Sequence, residues 1–190
     1  LHGVARAGIA TVFPQAIGMA AMWNRQLMYE TAVIISDEAR AKHHEFLRNG
    51  IRDRYTGLTF WTPNINIVRD PRWGRGQEAY GEDPYLTARL AVEFIKGLQG
   101  DDPKYMKTAA NAKHYAVHSG PELDRHHFDA VVSLHDMYET YLPAFQACVQ
   151  EANVESVMTA YNRTNGKPCS ASDELLENIL RKKWGFKGHV

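Results

Sequence analysis

The segment PRWGRGQEAYGEDP, residues 71–84, brings arginine and carboxylate side chains close together. Its glycines and prolines interrupt regular structure, so it is predicted to be a loop, and loops carried by a rigid scaffold often hold binding groups. Arg75 lies between two glycines, and its guanidinium is a rigid fork of donors that can bind vicinal hydroxyls. The alternative role is an ion pair that holds the loop, and the two roles are compatible. The candidate carboxylate partners are Glu78, Glu82 and Asp83.

Arg72 belongs to the same loop and is the weaker binding candidate. We expect it to brace the loop.

Lys113 and His114 form a second candidate pair near the end of the apolar run 109–117. A lysine is rarely buried without a partner, so two adjacent polar residues in this run predict a pocket. A strand end on the surface is the alternative. Both side chains can donate hydrogen bonds to hydroxyl groups.

Met158 and Tyr161 are a third candidate pair, at the end of a predicted strand. The alternative is core packing for Met158 and a backbone partner for the Tyr161 hydroxyl. Asn162 begins the turn-rich segment NRTNGKP, which needs no function to explain it.

His114, His118 and Glu122 have a spacing that would place them on one face of a helix, where they could bind zinc. Gly120 and Pro121 make a continuous helix unfavourable, so no metal site is predicted. No phosphate-binding, dinucleotide-binding or serine-nucleophile motif occurs, and no cofactor is predicted. Two histidine pairs lack ligand spacing; His43–His44 is assigned to a solvated helix face, and His126–His127 to a cleft rim.

Short apolar runs alternate with helical patterns along the chain, which indicates repeated βα units and a parallel sheet. Spacing alone does not separate an open doubly wound sheet from a (β/α)8 barrel, and about four βα units are present. In both folds ligands bind at the carboxyl ends of the strands, which selects Asn64, Asn66, Lys113, His114 and residues 158–162 as candidates. Strands are predicted within 58–67, 109–117 and 154–161, with a strand end at 11–14. Helices are predicted at 24–49, from Asp83 to Gly100, from Ser133 with an interruption at Pro143, and from Ser172.

Composition excludes several classes of partner. The chain has 190 residues, and its 22 basic and 22 acidic side chains cancel, which argues against nucleic acid or an anionic membrane as a partner. No apolar run is long enough to span a bilayer. Cys148 and Cys169 are predicted to be buried thiols. The chain lacks an initiator methionine, so we expect it to be part of a longer protein.

Six ordered blocks of the sequence resemble glycoside hydrolase family 3, the β-glucosidase and β-xylosidase group. The resemblance covers essentially all of the chain. It implies that residues 1–190 are part of a single TIM-barrel-like N-terminal catalytic domain, with the remaining barrel and a second domain outside this chain. The blocks are LHGVARAGIATVFPQAIGMAAMWN, RDPRWGRGQEAYGEDP, KHYAVHSGPE, ETYLPAF, SVMTAYNRTNGKP and LLENILRKKWGFKGHV.

The resemblance assigns roles to the candidate residues. Arg75, Lys113 and His114 would bind hydroxyls of the nonreducing-end sugar, and Met158 and Tyr161 would line the same subsite. The nucleophilic aspartate would follow Val190 by two or three residues, and the general acid/base would come from a later domain. On this interpretation the chain itself holds no catalytic residue.

The implied activity is retaining hydrolysis that releases terminal β-D-xylose or β-D-glucose from oligosaccharides or glycosides. A noncatalytic sugar-binding protein on the same fold is the alternative. The forms HSGPE and WGRGQEAYGEDP favour the xylosidase-like branch, and the absence of KHFPGHG argues against the β-N-acetylglucosaminidases. We expect the parent protein to be periplasmic or secreted, and a homodimeric parent is compatible with the sequence. The 190-residue piece alone is expected to be inactive, and poorly folded or oligomeric, because an unclosed barrel exposes strand edges.

Overall fold

The computed structural model describes residues 3–190, and a three-stranded parallel sheet lies at its centre. Strand β2 is flanked by β1 and β4, with Thr59 opposite Ala109 and Asn111 opposite Ser156. Nearly every residue of β2 is buried, as expected for a parallel strand covered on both faces. The strands are β1 (Thr59–Phe60), β2 (Ala109–Tyr115), β3 (Asp129–Ala130), β4 (Ser156–Thr159), β5 (Arg163–Thr164) and β6 (Lys167–Pro168).

Neighbouring strands of this sheet follow one another in chain order. The order is β1, β2, β4. His189 then pairs in parallel with Ser156 of β4, on the edge of β4 that faces away from β2. An open doubly wound sheet reverses its strand order at a switch point, whereas a barrel adds each strand beside the last. The observed order is therefore that of part of a (β/α) barrel.

Helix α3 packs between α2 and α5, and α3 and α5 contact strand β2 of the sheet. The α-helices are α1 (Ala16–Ala20), α2 (Arg25–Arg48), α3 (Pro84–Gln99), α4 (Leu134–Asp136) and α5 (Pro143–Gln150). Short 3-10 helices lie at Gly3–Ala7, Gly76–Glu78, Glu122–Asp124 and Cys169–Ala171, and π-helices at Met137–Tyr141 and Glu174–Lys183.

The predicted helix starts are confirmed by their caps. The side chain of Asn24 accepts from the Leu27 N–H at the start of α2. Asp83 accepts from the Leu86 N–H, with Pro84 in the first turn of α3, where its missing N–H costs no helical bond. Gly100 ends α3 with a φ of 75°.

The contact between α2 and α3 depends on a glycine. A Cβ at Gly97 would lie 2.5 Å from the Tyr29 carbonyl oxygen and 2.7 Å from the Ala32 Cβ. The Ser36 hydroxyl donates to the Gly97 carbonyl at 3.0 Å. Only a residue without a side chain allows this close approach.

Several predicted elements differ in extent. Residues 11–14 form no strand, because Thr11 donates its N–H to Glu38 at the surface rather than to a neighbouring strand. The run 58–67 is regular only at β1, although the Ile65 N–H still bonds to the Lys113 carbonyl. The helix that begins at Ser133 passes through a π-type turn and starts again at Pro143, which confirms the predicted interruption.

The segment NRTNGKP folds as a hairpin of β5 and β6 rather than as a plain loop. Asn165 and Gly166 at its turn have φ values of 50° and 82°, the conformation that Asn-Gly hairpins adopt. Strand β3 pairs with β5 in parallel.

Both cysteines are buried free thiols, as predicted. Within residues 3–190, none of the helices has the length and apolar character that crossing a bilayer requires.

Candidate functional site

The candidate site lies where the carboxyl end of β2 meets the extended chain that follows β1. Asn66 joins the two segments, since its Nδ2 donates to the His114 carbonyl at 2.8 Å and its Oδ1 accepts from the His114 N–H at 2.9 Å. Both side chains are buried. The amide of Asn66 therefore fixes the position of His114 from outside its own strand.

Arg75 reaches this strand end from the loop that the sequence singled out. Its Nε and Nη2 donate to the two carboxylate oxygens of Glu78 at 2.8 and 2.6 Å, a bidentate pair. Its Nη1 lies 3.1 Å from His114 Nε2. Among the possible carboxylate partners, Glu78 thus braces Arg75, while Asp83 caps α3.

The hydrogen bonds of His114 fix its tautomer. A guanidinium can only donate, so Nε2 of His114 accepts from Arg75. Nδ1 then carries the proton and donates to Asn66 Oδ1 at 3.0 Å. Burial, and next the charge of Arg75, lower the pKa of His114 to about 2, so the ring is neutral.

Lys113 is the group at this site whose charge is least compensated. Its side chain is 9% exposed, and among residues 3–190 its ammonium has no hydrogen bond and no ion pair within reach. Burial and the charge of Arg75 lower the pKa of Lys113 to about 8, against the opposing effect of Glu78. Lys113 is therefore a largely buried residue whose ammonium is free to donate to a ligand.

Glu78 is ionised although it is half buried. Burial by itself would raise the pKa of its carboxyl group, but the hydrogen bonds and charge of Arg75, together with Lys113, lower it overall. Both oxygens of this carboxylate accept hydrogen bonds from Arg75, so its role is to hold the arginine.

The third candidate pair lies beside the first two. Met158 is opposite Lys113 in the β2–β4 register and is half buried. Tyr161 follows β4 with 56% of its surface exposed, and its ring centroid lies 6.2 Å from that of His114. All five candidate residues therefore lie near the carboxyl ends of β2 and β4.

Three further histidines and Arg72 lie outside the group of five candidate residues. His126 is exposed and its ring lies 4.9 Å from that of Tyr161, which is the rim position that the sequence suggested. His43 is half buried and bonds to the Thr56 carbonyl, so the interpretation as a solvated face is wrong for His43 and holds for the exposed His44. Arg72 is 88% exposed and braces the loop through Asp70.

The spacing of His114, His118 and Glu122 does not produce a helix, and Glu122 pairs instead with Arg125. The Glu122 carboxyl fills the space beside Gly74, where a Cβ would lie 2.8 Å from it. Among residues 3–190, no three His, Cys, Asp or Glu side chains are grouped to hold a metal ion.

Two buried residues at the predicted strand ends, where the sequence led us to expect ligands, hold other site residues, a role that the sequence did not predict. Asn66 bonds to His114, and Asn162, which had also been assigned to a turn, bonds to His118. A polar residue at the end of each apolar run was the available signal, but the partners are distant in sequence.

The fold and site together define a barrel-type α/β domain whose strand ends carry a buried group of hydrogen-bond donors. The family model for the "Glycosyl hydrolase family 3 N terminal domain" matches residues 1–190. A "Xylan 1,4-beta-xylosidase" of Xylanibacter ruminicola is 51% identical, over 98% of this chain and 22% of that protein. A "Beta-D-xylosidase 1" of Arabidopsis thaliana is 42% identical, over 100% of this chain and 25% of its own length.

Two solved structures of similar enzymes share the fold of this chain. A family 3 exo-β-xylosidase, XlnD, in complex with a xylobiose aziridine probe has a TM-score of 0.85 at 37% identity and covers 94% of this chain and 23% of its own. The β-glucosidase 3B of Thermotoga neapolitana in complex with glucose has a TM-score of 0.80 at 35% identity and covers 94% of this chain and 22% of its own. The chain belongs to glycosyl hydrolase family 3 and spans about a quarter of the length of these relatives.

Proposed function

We propose that the protein containing this chain is a glycoside hydrolase that releases terminal β-D-xylose or β-D-glucose from the nonreducing end of its substrates. The observation that carries the proposal is the Arg75 guanidinium, held in a bidentate pair by Glu78 and directed at the buried Lys113–His114 strand end. A preorganised set of charged donors binds hydroxyl oxygens without first having to be ordered.

The protonation of the site suits a neutral, hydroxylated ligand. Lys113 supplies an ammonium with no partner among residues 3–190, and Arg75 has a nitrogen whose only contact is a neutral imidazole. Because Glu78 offsets one of the two positive charges, the site is less suited to an anion than two free cations would be. Burial strengthens each hydrogen bond that a sugar hydroxyl would make there.

A retaining mechanism needs two carboxylates. Glu78 is occupied by Arg75, so we assign it to holding the arginine. The family resemblance places the nucleophile two or three residues after Val190. Since His189 is in parallel register with Ser156, continuing that register brings those positions beside Thr159 and Ala160, next to Tyr161. This placement supports a nucleophile facing the sugar subsite.

We further propose that xylosides are preferred over glucosides. Support comes from the 51% identical relative named as a xylan 1,4-β-xylosidase, and from the xylosidase structure, which superposes with a higher TM-score than the glucosidase.

The test is the hydrolysis of nitrophenyl β-D-xyloside and β-D-glucoside by the full-length protein. Preferential turnover of the xyloside is expected, and preferential turnover of the glucoside would contradict the substrate assignment. Binding of xylose by calorimetry without turnover would favour the noncatalytic sugar-binding alternative. The 190-residue piece, assayed in parallel, is expected to turn over neither glycoside.

A further inference from the structure

The backbone pairing between β2 and β4 ends before the chain reaches the candidate binding residue Tyr161. The register between the strands shifts after Lys113, which lies opposite Met158. The last backbone hydrogen bond joins the Ala160 N–H to the Tyr115 carbonyl at 2.7 Å. Beyond this bond the two chain segments need another connection if Tyr161 is to keep a fixed position.

A buried pair of side chains supplies that connection. His118 Nδ1 lies 2.8 Å from Asn162 Oδ1, and Asn162 Nδ2 donates to the carbonyls of Val117 and Arg163 at 2.8 and 2.7 Å. His118 is 3% exposed and Asn162 is 1% exposed. We call this pair the tip clamp, because it joins the tips of β2 and β4.

The clamp has one hydrogen-bonding arrangement. The Nδ2 group of Asn162 donates to both carbonyls, so its Oδ1 accepts and His118 carries its proton on Nδ1. Burial lowers the pKa of His118, against the effect of the Asn162 bond, and the charges of Arg75 and Arg125 lower it further. The ring is therefore neutral, and its Nε2 has no partner among residues 3–190.

Tyr161 lies between the two connections, with the Ala160 bond on one side and Asn162 on the other. Its ring is exposed, and it packs against His118 in a T-shaped arrangement with centroids 6.5 Å apart. The rings of His114 and His126 also lie beside it, but more than half of Tyr161 is exposed, so its direction depends as well on the backbone that the clamp holds.

We propose that His118 and Asn162 are positioning residues that hold Tyr161 against the sugar subsite. The kinetic part of this inference rests on the proposed function, whereas the positioning itself does not.

The decisive variants are His118→Asn and His118→Leu in the full-length protein. Both remove the ring, but asparagine places an amide N–H near the position of Nδ1 and can keep the bond to Asn162. Leucine leaves the Asn162 oxygen buried without a donor.

Hydrogen exchange measured by mass spectrometry tests the positioning without requiring activity. In His118→Leu, the amides of residues 160–163 should exchange about tenfold faster than in the wild type, while His118→Asn stays within about threefold. Equal exchange in the wild type and His118→Leu, or equally fast exchange in both variants, would overturn the proposal. Ser36→Ala, which removes a buried bond between α2 and α3, is the control and should leave these amides unchanged.

Kinetics then test whether Tyr161 transmits the effect. His118→Leu should raise KM about tenfold, and His118→Asn about threefold or less. In a Tyr161→Ala background the same change to leucine should cost about twofold or less, because residues that act together are not additive. Full additivity would show that His118 does not act through Tyr161. If the wild type hydrolyses neither glycoside, the proposed function fails, and the exchange experiment still decides the positioning.

Discussion

Buried polar groups are paired differently in two regions, the body formed by helices α2, α3 and α5 and the wall at the strand ends. The wall consists of Arg75, Lys113, His114, Met158 and Tyr161. In the body, Gln99 Nε2 donates to the Asn153 carbonyl and its Oε1 accepts from the Glu155 N–H. The Ser36 hydroxyl donates to the Gly97 carbonyl across two helices. In the wall, Lys113 is about as buried as Gln99, but its ammonium has no partner among residues 3–190.

The difference shows where the fold gains stability and where it keeps binding capacity. The body has exceptions, such as the unpaired Thr87 hydroxyl, but a neutral hydroxyl costs less to bury than a charge. A buried ammonium with free donors destabilises the protein alone and gains a partner when a ligand binds. Substitutions in the two regions should therefore have opposite profiles.

Replacement of Arg75 should have the largest effect. Arg75→Ala removes a donor from the wall and leaves Glu78 half buried without its cation, so we expect kcat/KM of the full-length enzyme to fall about 100-fold or more. Arg72→Ala is the matched control in the same loop; because its pair with Asp70 is exposed, the change should stay within about twofold. Equal kinetics for the two variants would reduce Arg75 to a loop brace.

In the body, Gly97→Ala should lower stability and spare the kinetics. The new Cβ meets the Tyr29 carbonyl and Ala32 on the facing helix, so the free energy of unfolding should fall by about 2 kcal/mol. KM measured well below the melting temperature should not change. Gly57→Ala, where a Cβ meets open space, is the control and should change stability by about 0.5 kcal/mol or less. A raised KM in Gly97→Ala would show that the two regions are not separable.

Lys113→Met should show the opposite profile. Removing an uncompensated buried charge is expected to raise the free energy of unfolding by about 1 kcal/mol, while kcat/KM falls about tenfold because a charged donor is lost. Lys104→Met, at an exposed position, should change neither quantity appreciably. A lower free energy of unfolding in Lys113→Met would mean that the ammonium has a hydrogen-bond or ion-pair partner in the full-length protein.

The smallest effect concerns pH. The pKa of Lys113 is lowered to about 8 from 10.5, so above about pH 8 the folded protein loses a proton that the unfolded chain still holds. The contribution of Lys113 to stability should therefore rise from about pH 8 to 10.5, while substrate affinity falls as the charged donor disappears. KM measured across this range should rise a fewfold, and Lys113→Met should lack that rise. An identical rise in the variant would assign the titration to another group.

The sequence predicted most of the local elements, and the five candidate residues that it named lie close together in the structure. Capped helix starts such as Asn24 and Asp83 are local signals, since the cap and its partner are only three residues apart. Arg75 was a candidate because of its residue type and its flanking glycines. Its predicted role in sugar binding came from the family resemblance. The lengths of the strands were overestimated because apolar runs continue past the last paired residue.

By itself, the sequence determined the order of βα units, the family and the chemical character of each strand end. Only the tertiary structure decided which carboxylate holds Arg75, that Nε2 of His114 accepts from Arg75, and that His118 and Asn162 join two strand tips. These bonds connect residues up to 44 positions apart, as between His118 and Asn162. Their geometry depends on how two strands lie side by side, which no local propensity encodes.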